Sequence, residues 1–134
     1  MNIAFFLTPK HEVTYEQVEA NMQQALEKME KSGYTAIPLI DKVGKYVGTL
    51  TEGDLLWKLK NTEGLSFSNT QEVSIKEVPR RIKHESVYIN ENIESLISLA
   101  ARQNFVPVVD DKGTFIGIIK RSDIISYCYK NMQI

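Results

Sequence analysis

The strongest constraint in this chain is that part of it occurs twice. The stretch from Tyr34 to Leu59, YTAIPLIDKVGKYVGTLTEGDLLWKL, returns as NFVPVVDDKGTFIGIIKRSDIISYC from Asn104 to Cys128. From the proline onward the copies align without a gap: Pro38 with Pro107, Asp41 with Asp110, Gly44 with Gly113, Gly48 with Gly117, Asp54 with Asp123. Apolar positions coincide too, Leu39 with Val108 and Ile40 with Val109. Such a duplication sets the unit of architecture, and two units are too few for a solenoid. The expectation is a mixed α/β (α+β) fold of two like halves, residues 1–66 and 67–134, sharing their burial because a half of about 65 residues makes only a marginal core alone.

Composition narrows the function classes. Apolar residues make up 43% and charged residues 25%, an ordinary globular balance. A net charge of -1 gives no footprint for nucleic acid. The single cysteine, Cys128, excludes an internal disulfide and suits a reducing compartment. No apolar run reaches the roughly 18 residues of a membrane span, and the start, MNIAFFLTPKHEV, lacks a basic leader. The expectation is a cytoplasmic protein with no nucleic-acid or membrane partner.

Local signals outline the elements. Ile3 to Leu7 is an apolar turn or strand ending at Thr8-Pro9. Val13-Thr14-Tyr15 alternates like a short strand. Asn21 precedes Met22, Ala25, Leu26 and Met29 at helical spacing, and Ser32-Gly33 stops that helix. Thr35 to Ile40, a turn at Asp41 to Gly44, and Tyr46 to Leu50 read as a hairpin. Pro38 restricts its strand to an edge or a bulge, leaving backbone free for a ligand. A helix from Asp54 to Lys60 follows Thr51. Asn61 to Ser74 is a polar connector, Ile75 to Pro79 parallels the opening segment, and Val87-Tyr88-Ile89 is a strand. A helix behind Asn92, a hairpin over Phe105 to Val109 and Phe115 to Ile119, and a helix from Asp123 to Asn131 complete a βαββα pattern repeated. The second copy is about two residues shorter between its first helix and the proline strand.

The closing run Gly48-Thr49-Leu50-Thr51-Glu52-Gly53-Asp54 carries two readings. Thr-x-x-Asp resembles a capping box, although Glu or Gln is the usual partner. Alternatively, a helix N-terminus suits phosphate, and a carboxylate beside it can accept both hydroxyls of a ribose diol. In the second copy Lys120 replaces the threonine while Asp123 stays. The aspartate therefore outlives its capping partner, unless Ser122 caps a helix shifted by two residues. The basic run Pro79-Arg80-Arg81-Ile82-Lys83-His84 is either solvated surface or a phosphate contact, and Lys10-His11 is its counterpart. His11 and His84 lack zinc-ligand spacing, Cys128 has no CxxC partner, and no Walker A, Rossmann or Gly-x-Ser-x-Gly pattern occurs.

Both copies resemble CBS motifs, through the apolar-Pro-apolar-apolar-Asp strand, the glycine before the second strand and the closing Gly-x-x-Thr-x-x-Asp. The resemblance covers almost the whole chain. It implies a Bateman module, two CBS motifs packed about a pseudo-twofold axis, with clefts that hold adenosine ligands. By motif position Asp54 and Thr51 would serve one cleft, with Tyr34, Thr35, Ala36 and Pro38 around the base. Asp123 would serve the other, with Asn104, Phe105, Val106 and Pro107 around the base and Lys120 and Arg121 offering cationic contacts. The family also implies a homodimer, with Trp57, Tyr127 and Tyr129 as interface candidates.

The resulting expectation is a non-catalytic regulatory module, without cofactor or metal. It binds AMP, ADP or ATP as a regulatory ligand and signals to a separate, unknown target protein. One alternative is a cyclic di-AMP receptor of the same fold, since the YTAIP and GTLTEGDLLW runs resemble small stand-alone CBS proteins of Gram-positive bacteria. The other is an interaction scaffold without ligand. An enzyme would need a metal or general-base cluster near the phosphates, and no such pairing is visible.

Overall fold

The computed structural model describes residues 2–132. The chain forms two compact units, each built on one sheet.

The first unit gathers the described residues up to Val13, Gly44–Tyr46, and those from His84 onward. Its four-stranded sheet runs β1 (Leu7–Pro9), β7 (Phe115–Lys120), β6 (Phe105–Val109), β5 (Val87–Tyr88). β6 and β7 are the expected antiparallel hairpin, and β5 joins β6 in parallel. The turn between β6 and β7 is fixed by Asp110, whose Oδ1 accepts the Lys112 and Thr114 N–H groups at 2.9 Å each. Those donors hold the Asp110 carboxyl below its ordinary range. β1 pairs antiparallel with β7, so the opening segment of the first copy completes the sheet of the second. Helices α3 (Ile93–Ala100) and α4 (Arg121–Asn131) belong to this unit. The core is Ile3, Val87, Ile93, Leu96, Leu99, Val106, Val108, Ile119 and Ile124.

The second unit comprises Thr14–Val43 and Val47–Lys83. Its sheet has the order β2 (Glu16–Gln17), β3 (Ala36–Ile40), β4 (Tyr46–Thr51). Helices α1 (Met22–Ser32) and α2 (Glu52–Asn61) complete it. Asn21 caps α1 with a full capping box to Gln24, and Gly33 ends it in the left-handed region, as the sequence predicts. The opening segment of the second copy lies here: the Ile75 N–H donates to the Ala20 carbonyl at 2.9 Å, and Ile75 and Val78 are buried. The core repeats that of the first unit, with Met22, Ala25, Ile37, Leu39, Leu50 and Leu55 standing where Ile93, Leu96, Val106, Val108, Ile119 and Ile124 stand.

Three expectations are corrected. The early strand is Glu16–Gln17 rather than Val13–Tyr15, because parallel pairing to Leu39 and Ile40 determines where it begins. The closing helices start earlier than Asp54 and Asp123, at Glu52 and Arg121, each aspartate lying in the first turn. Pro38 and Pro107 lie on middle strands, not edge strands, although the β6–β7 ladder does shift register next to Pro107, between Val108 and Val109. The two-residue neighbours reach only Leu39–Ile40 and Val108–Val109, so nothing asks either proline for an N–H.

Gly117 and Gly48 sit at equivalent points of β7 and β4 with φ of 156° and 154°. A Cβ on Gly117 would run into the Thr8 carbonyl of β1, whereas one on Gly48 would meet the Arg80 side chain at 3.0 Å. Backbone cannot move aside as a guanidinium can. Gly117→Ala is therefore expected to destabilise the chain by about 3 kcal/mol or more, and Gly48→Ala by roughly 1–2 kcal/mol. Urea unfolding measures both, and equal costs would contradict this docking of β1.

Candidate functional site

Each closing helix starts where its strand ends, and one hydrogen bond ties that point to the entry of the proline strand. The Glu52 N–H donates to the Thr35 carbonyl at 2.9 Å, and the Arg121 N–H to the Asn104 carbonyl at 3.1 Å. In both copies this consumes the first free N–H of the helix, which reduces what remains for an anion.

Beyond that shared bond the copies diverge. In α2 the Asp54 N–H donates to Thr51 Oγ1 at 3.1 Å, and the Thr51 N–H donates to Asp54 Oδ2 at 2.9 Å. The capping box is complete with an aspartate in the place of glutamate. Asp54 Oδ1 accepts the Arg81 N–H at 2.9 Å. This carboxylate is 2% exposed, and both of its oxygens are occupied by backbone donors.

Asp123 differs on every count. Lys120 precedes α4 as its cap residue and makes no side-chain cap bond, and the helix does not start at a Ser122 cap. Among the described residues no hydrogen bond or ion pair reaches the half-buried Asp123 carboxylate. Arg121 is committed elsewhere, its Nε donating to the Gln103 carbonyl at 2.9 Å. Gln103 is itself buried, bridging the Glu85 backbone to the Phe105 carbonyl. The Lys120 side chain is exposed.

Each aspartate borders a pocket inside its own unit. Asp123 lines one of about 370 Å³ with Ser126, Tyr127 and Lys130 of α4 and Phe5, Phe6, Leu7 and Thr8 of the opening segment. Asp54 lines one of about 280 Å³ with Trp57, Lys58 and Asn61 of α2, Thr62, Pro79 and Arg81. The helical members stand at the same spacing in both: Asp54, Trp57, Lys58, Asn61 and Asp123, Ser126, Tyr127, Lys130. That is one face of a helix, three and four residues apart. Duplication has thus produced two related hollows with unlike walls.

Neither lining includes the expected base-pocket residues. In the second unit Tyr34 is 45% exposed, Thr35 contributes its carbonyl to α2, and Ala36 and Pro38 are buried in β3. In the first unit Asn104 is exposed, and Phe105, Val106 and Pro107 are buried in β6. Thr51, Asp54 and Thr35 are brought together at the start of α2; Asn104 and Arg121 meet at the start of α4. The sequence reading missed Phe5, Phe6, Thr8, Ser126 and Lys130 around Asp123, and Lys58 and Asn61 around Asp54. The helical stripe running on from each aspartate could have revealed the α-helical members.

The aromatic candidates are accounted for individually. Trp57 is 38% exposed, with the Arg81 guanidinium 5.3 Å above its ring. Tyr127 packs edge-on to Phe6 at 5.3 Å, Tyr129 is exposed, and Cys128 packs against the first unit's core. Among the described residues no group of three or more His, Cys, Asp or Glu could hold a metal, and no helix is long and apolar enough to cross a membrane.

A duplicated βαββα fold with an acidic residue opening each closing helix defines a class, and the family comparison agrees. The CBS domain family matches residues 7–61 and 75–130, and the chain belongs to that family. It is 26% identical over 133 residues to cyclic di-AMP receptor B of Bacillus subtilis (strain 168), spanning 96% of this chain and 86% of that protein. The fold matches the Listeria monocytogenes CbpB protein in complex with c-di-AMP at a TM-score of 0.84 and 22% identity, over 99% of this chain and 100% of that one. It also matches CBSX2 in complex with AMP at a TM-score of 0.76 and 23% identity, over 98% of each chain. At these identities the two structures establish the fold.

The two helix starts make opposite forecasts. Thr51→Ala should cost about 1 kcal/mol by removing the acceptor for the Asp54 N–H. Lys120→Thr should stabilise the chain by about 0.5–1 kcal/mol by supplying the missing one. Thermal or urea unfolding reads both, and a neutral Thr51→Ala would deny the capping box its role.

Proposed function

We propose that this chain is a non-catalytic regulatory module that binds an adenine nucleotide, with the ribose held by Asp123. The carrying observation is the Asp123 carboxylate: it borders a hollow and, among the described residues, has no protein partner. Within the same lining are the hydroxyls of Thr8, Ser126 and Tyr127, the Lys130 ammonium, and the apolar Phe5, Phe6 and Leu7. A carboxylate for a diol, a cation for phosphate and apolar walls for a base are the chemistry a nucleotide needs. Membership in the CBS family and the adenosine ligands of the related proteins support the same reading. Occupancy would act on a separate target protein, and a homodimer is part of the proposal. Binding shifts such a system only through the ligand's different affinity for its states.

Cyclic di-AMP is the second reading, favoured by the relative matched over 96% of this chain. Chemistry separates the two. A mononucleotide offers both ribose hydroxyls to a carboxylate, whereas a 3′,5′-linked cyclic dinucleotide leaves one free on each ribose. A charge-assisted hydrogen bond contributes about 1.5–3 kcal/mol. Asp123→Ala should therefore weaken binding of AMP by about a hundredfold or more, and of cyclic di-AMP by roughly tenfold. Nucleotide-induced thermal stabilisation follows the affinity and measures both. Unchanged stabilisation in Asp123→Ala removes Asp123 from the site. A flat response of the unmutated chain to every adenine nucleotide favours a scaffold without ligand.

A further inference from the structure

Resting on that reading, we propose that the two duplicated aspartates have divided their labour. Asp123 takes the nucleotide, one per chain. Asp54 is a clasp that fastens the basic segment 79–83 and takes no ribose.

The two carboxylates occupy the same position in the repeat, so their surroundings alone separate them. To hold a diol, a carboxylate needs two acceptor oxygens that a ligand can reach. Asp54 offers neither: Oδ2 already accepts the Thr51 N–H at 2.9 Å and Oδ1 the Arg81 N–H at 2.9 Å, and with 2% of the residue exposed their remaining lone pairs are out of a ligand's reach. Displacing either donor would leave a buried N–H or a buried charge without its partner.

The aromatic wall of the Asp54 pocket is covered on one face as well. The face of Trp57, the aromatic surface a purine would stack on, lies under the Arg81 guanidinium at 5.3 Å. Where Trp57 stands in one repeat, the other has Ser126; where Lys58 stands, it has Tyr127. The repeat with an open carboxylate thus has the added hydroxyls, and the repeat with a closed one has the cation over the ring.

What Asp54 does instead is visible in its long-range bond. It joins the start of α2 to a backbone 27 residues further along. The segment it grips carries Arg80, Arg81 and Lys83, all exposed, and it ends at Lys83, the last residue of the second unit. Arg80 lies over Gly48 and Arg81 over Trp57, so one carboxylate anchors the backbone between two laid-down arginines.

Two measurements on the whole chain test this. Calorimetric titration with AMP should give one site per chain, abolished or weakened at least tenfold in Asp123→Asn and changed less than about threefold in Asp54→Asn. Limited trypsin digestion, with circular dichroism to confirm the fold, should show faster cleavage after Arg80, Arg81 or Lys83 in Asp54→Asn and unchanged cleavage in Asp123→Asn. Failure of the underlying reading is distinguishable, because an unmutated chain that binds neither AMP nor cyclic di-AMP overturns nucleotide binding and takes the division with it. Two AMP sites per chain, loss of AMP binding in a folded Asp54→Asn with Asp123→Asn still binding, or unaltered digestion overturns the division alone.

Discussion

A carboxylate in the first turn of a helix can turn back to the backbone that precedes it or outward to something else. It cannot do both well once it is buried, because each oxygen removed from water must find a donor. In the second unit Thr51 settles the matter. Its hydroxyl and its N–H hold Asp54 in a reciprocal pair, and Arg81 fills what is left. In the first unit the Lys120 side chain has no oxygen to offer, the box cannot form, and among the described residues no partner holds the Asp123 carboxylate. That side chain, together with the Arg81 N–H, separates the two helix starts.

The rest of the fold serves to place these helix starts. In both repeats a carbonyl at the entry of the proline strand receives the first helical N–H, so the same hydrogen bond ties hairpin to helix twice. The rest of each wall comes from residues 5–8 in one hollow and from Thr62, Pro79 and Arg81 in the other. The docking of β1 is what makes Gly117 indispensable, since β1 passes where any side chain would stand.

Much of this was legible beforehand, for physical reasons that are easy to name. Caps and stops are local, so Asn21, Thr51, Asn92 and Gly33 announce their helices without reference to the rest of the chain. The duplicated hairpins were equally plain, because Gly44 and Gly113 mark turns between apolar strands. The destination of an extended segment is not local. Nothing in Leu7-Thr8-Pro9 says that its partner is Gly117 to Ile119, and the two-residue strand β2 is too short for a period to show, whereas the strand expected over Val87-Tyr88-Ile89 is present as β5. The prolines misled for the same reason, since their tolerance depends on where a neighbouring strand stops. At the helix starts, the sequence points to both aspartates but not to their hydrogen-bonding states. Whether a carboxylate is free depends on a donor 27 residues away, Arg81, that no motif spacing encodes. The stripe Asp123, Ser126, Tyr127, Lys130 is readable at helical spacing.

The most direct test is a crystal structure of the chain grown with AMP. The account predicts ribose hydroxyls about 2.7 Å from the Asp123 carboxylate, with Asp54 still holding the Thr51 and Arg81 N–H groups. A ribose seated on Asp54, or a nucleotide bound with Asp123 untouched, would contradict it.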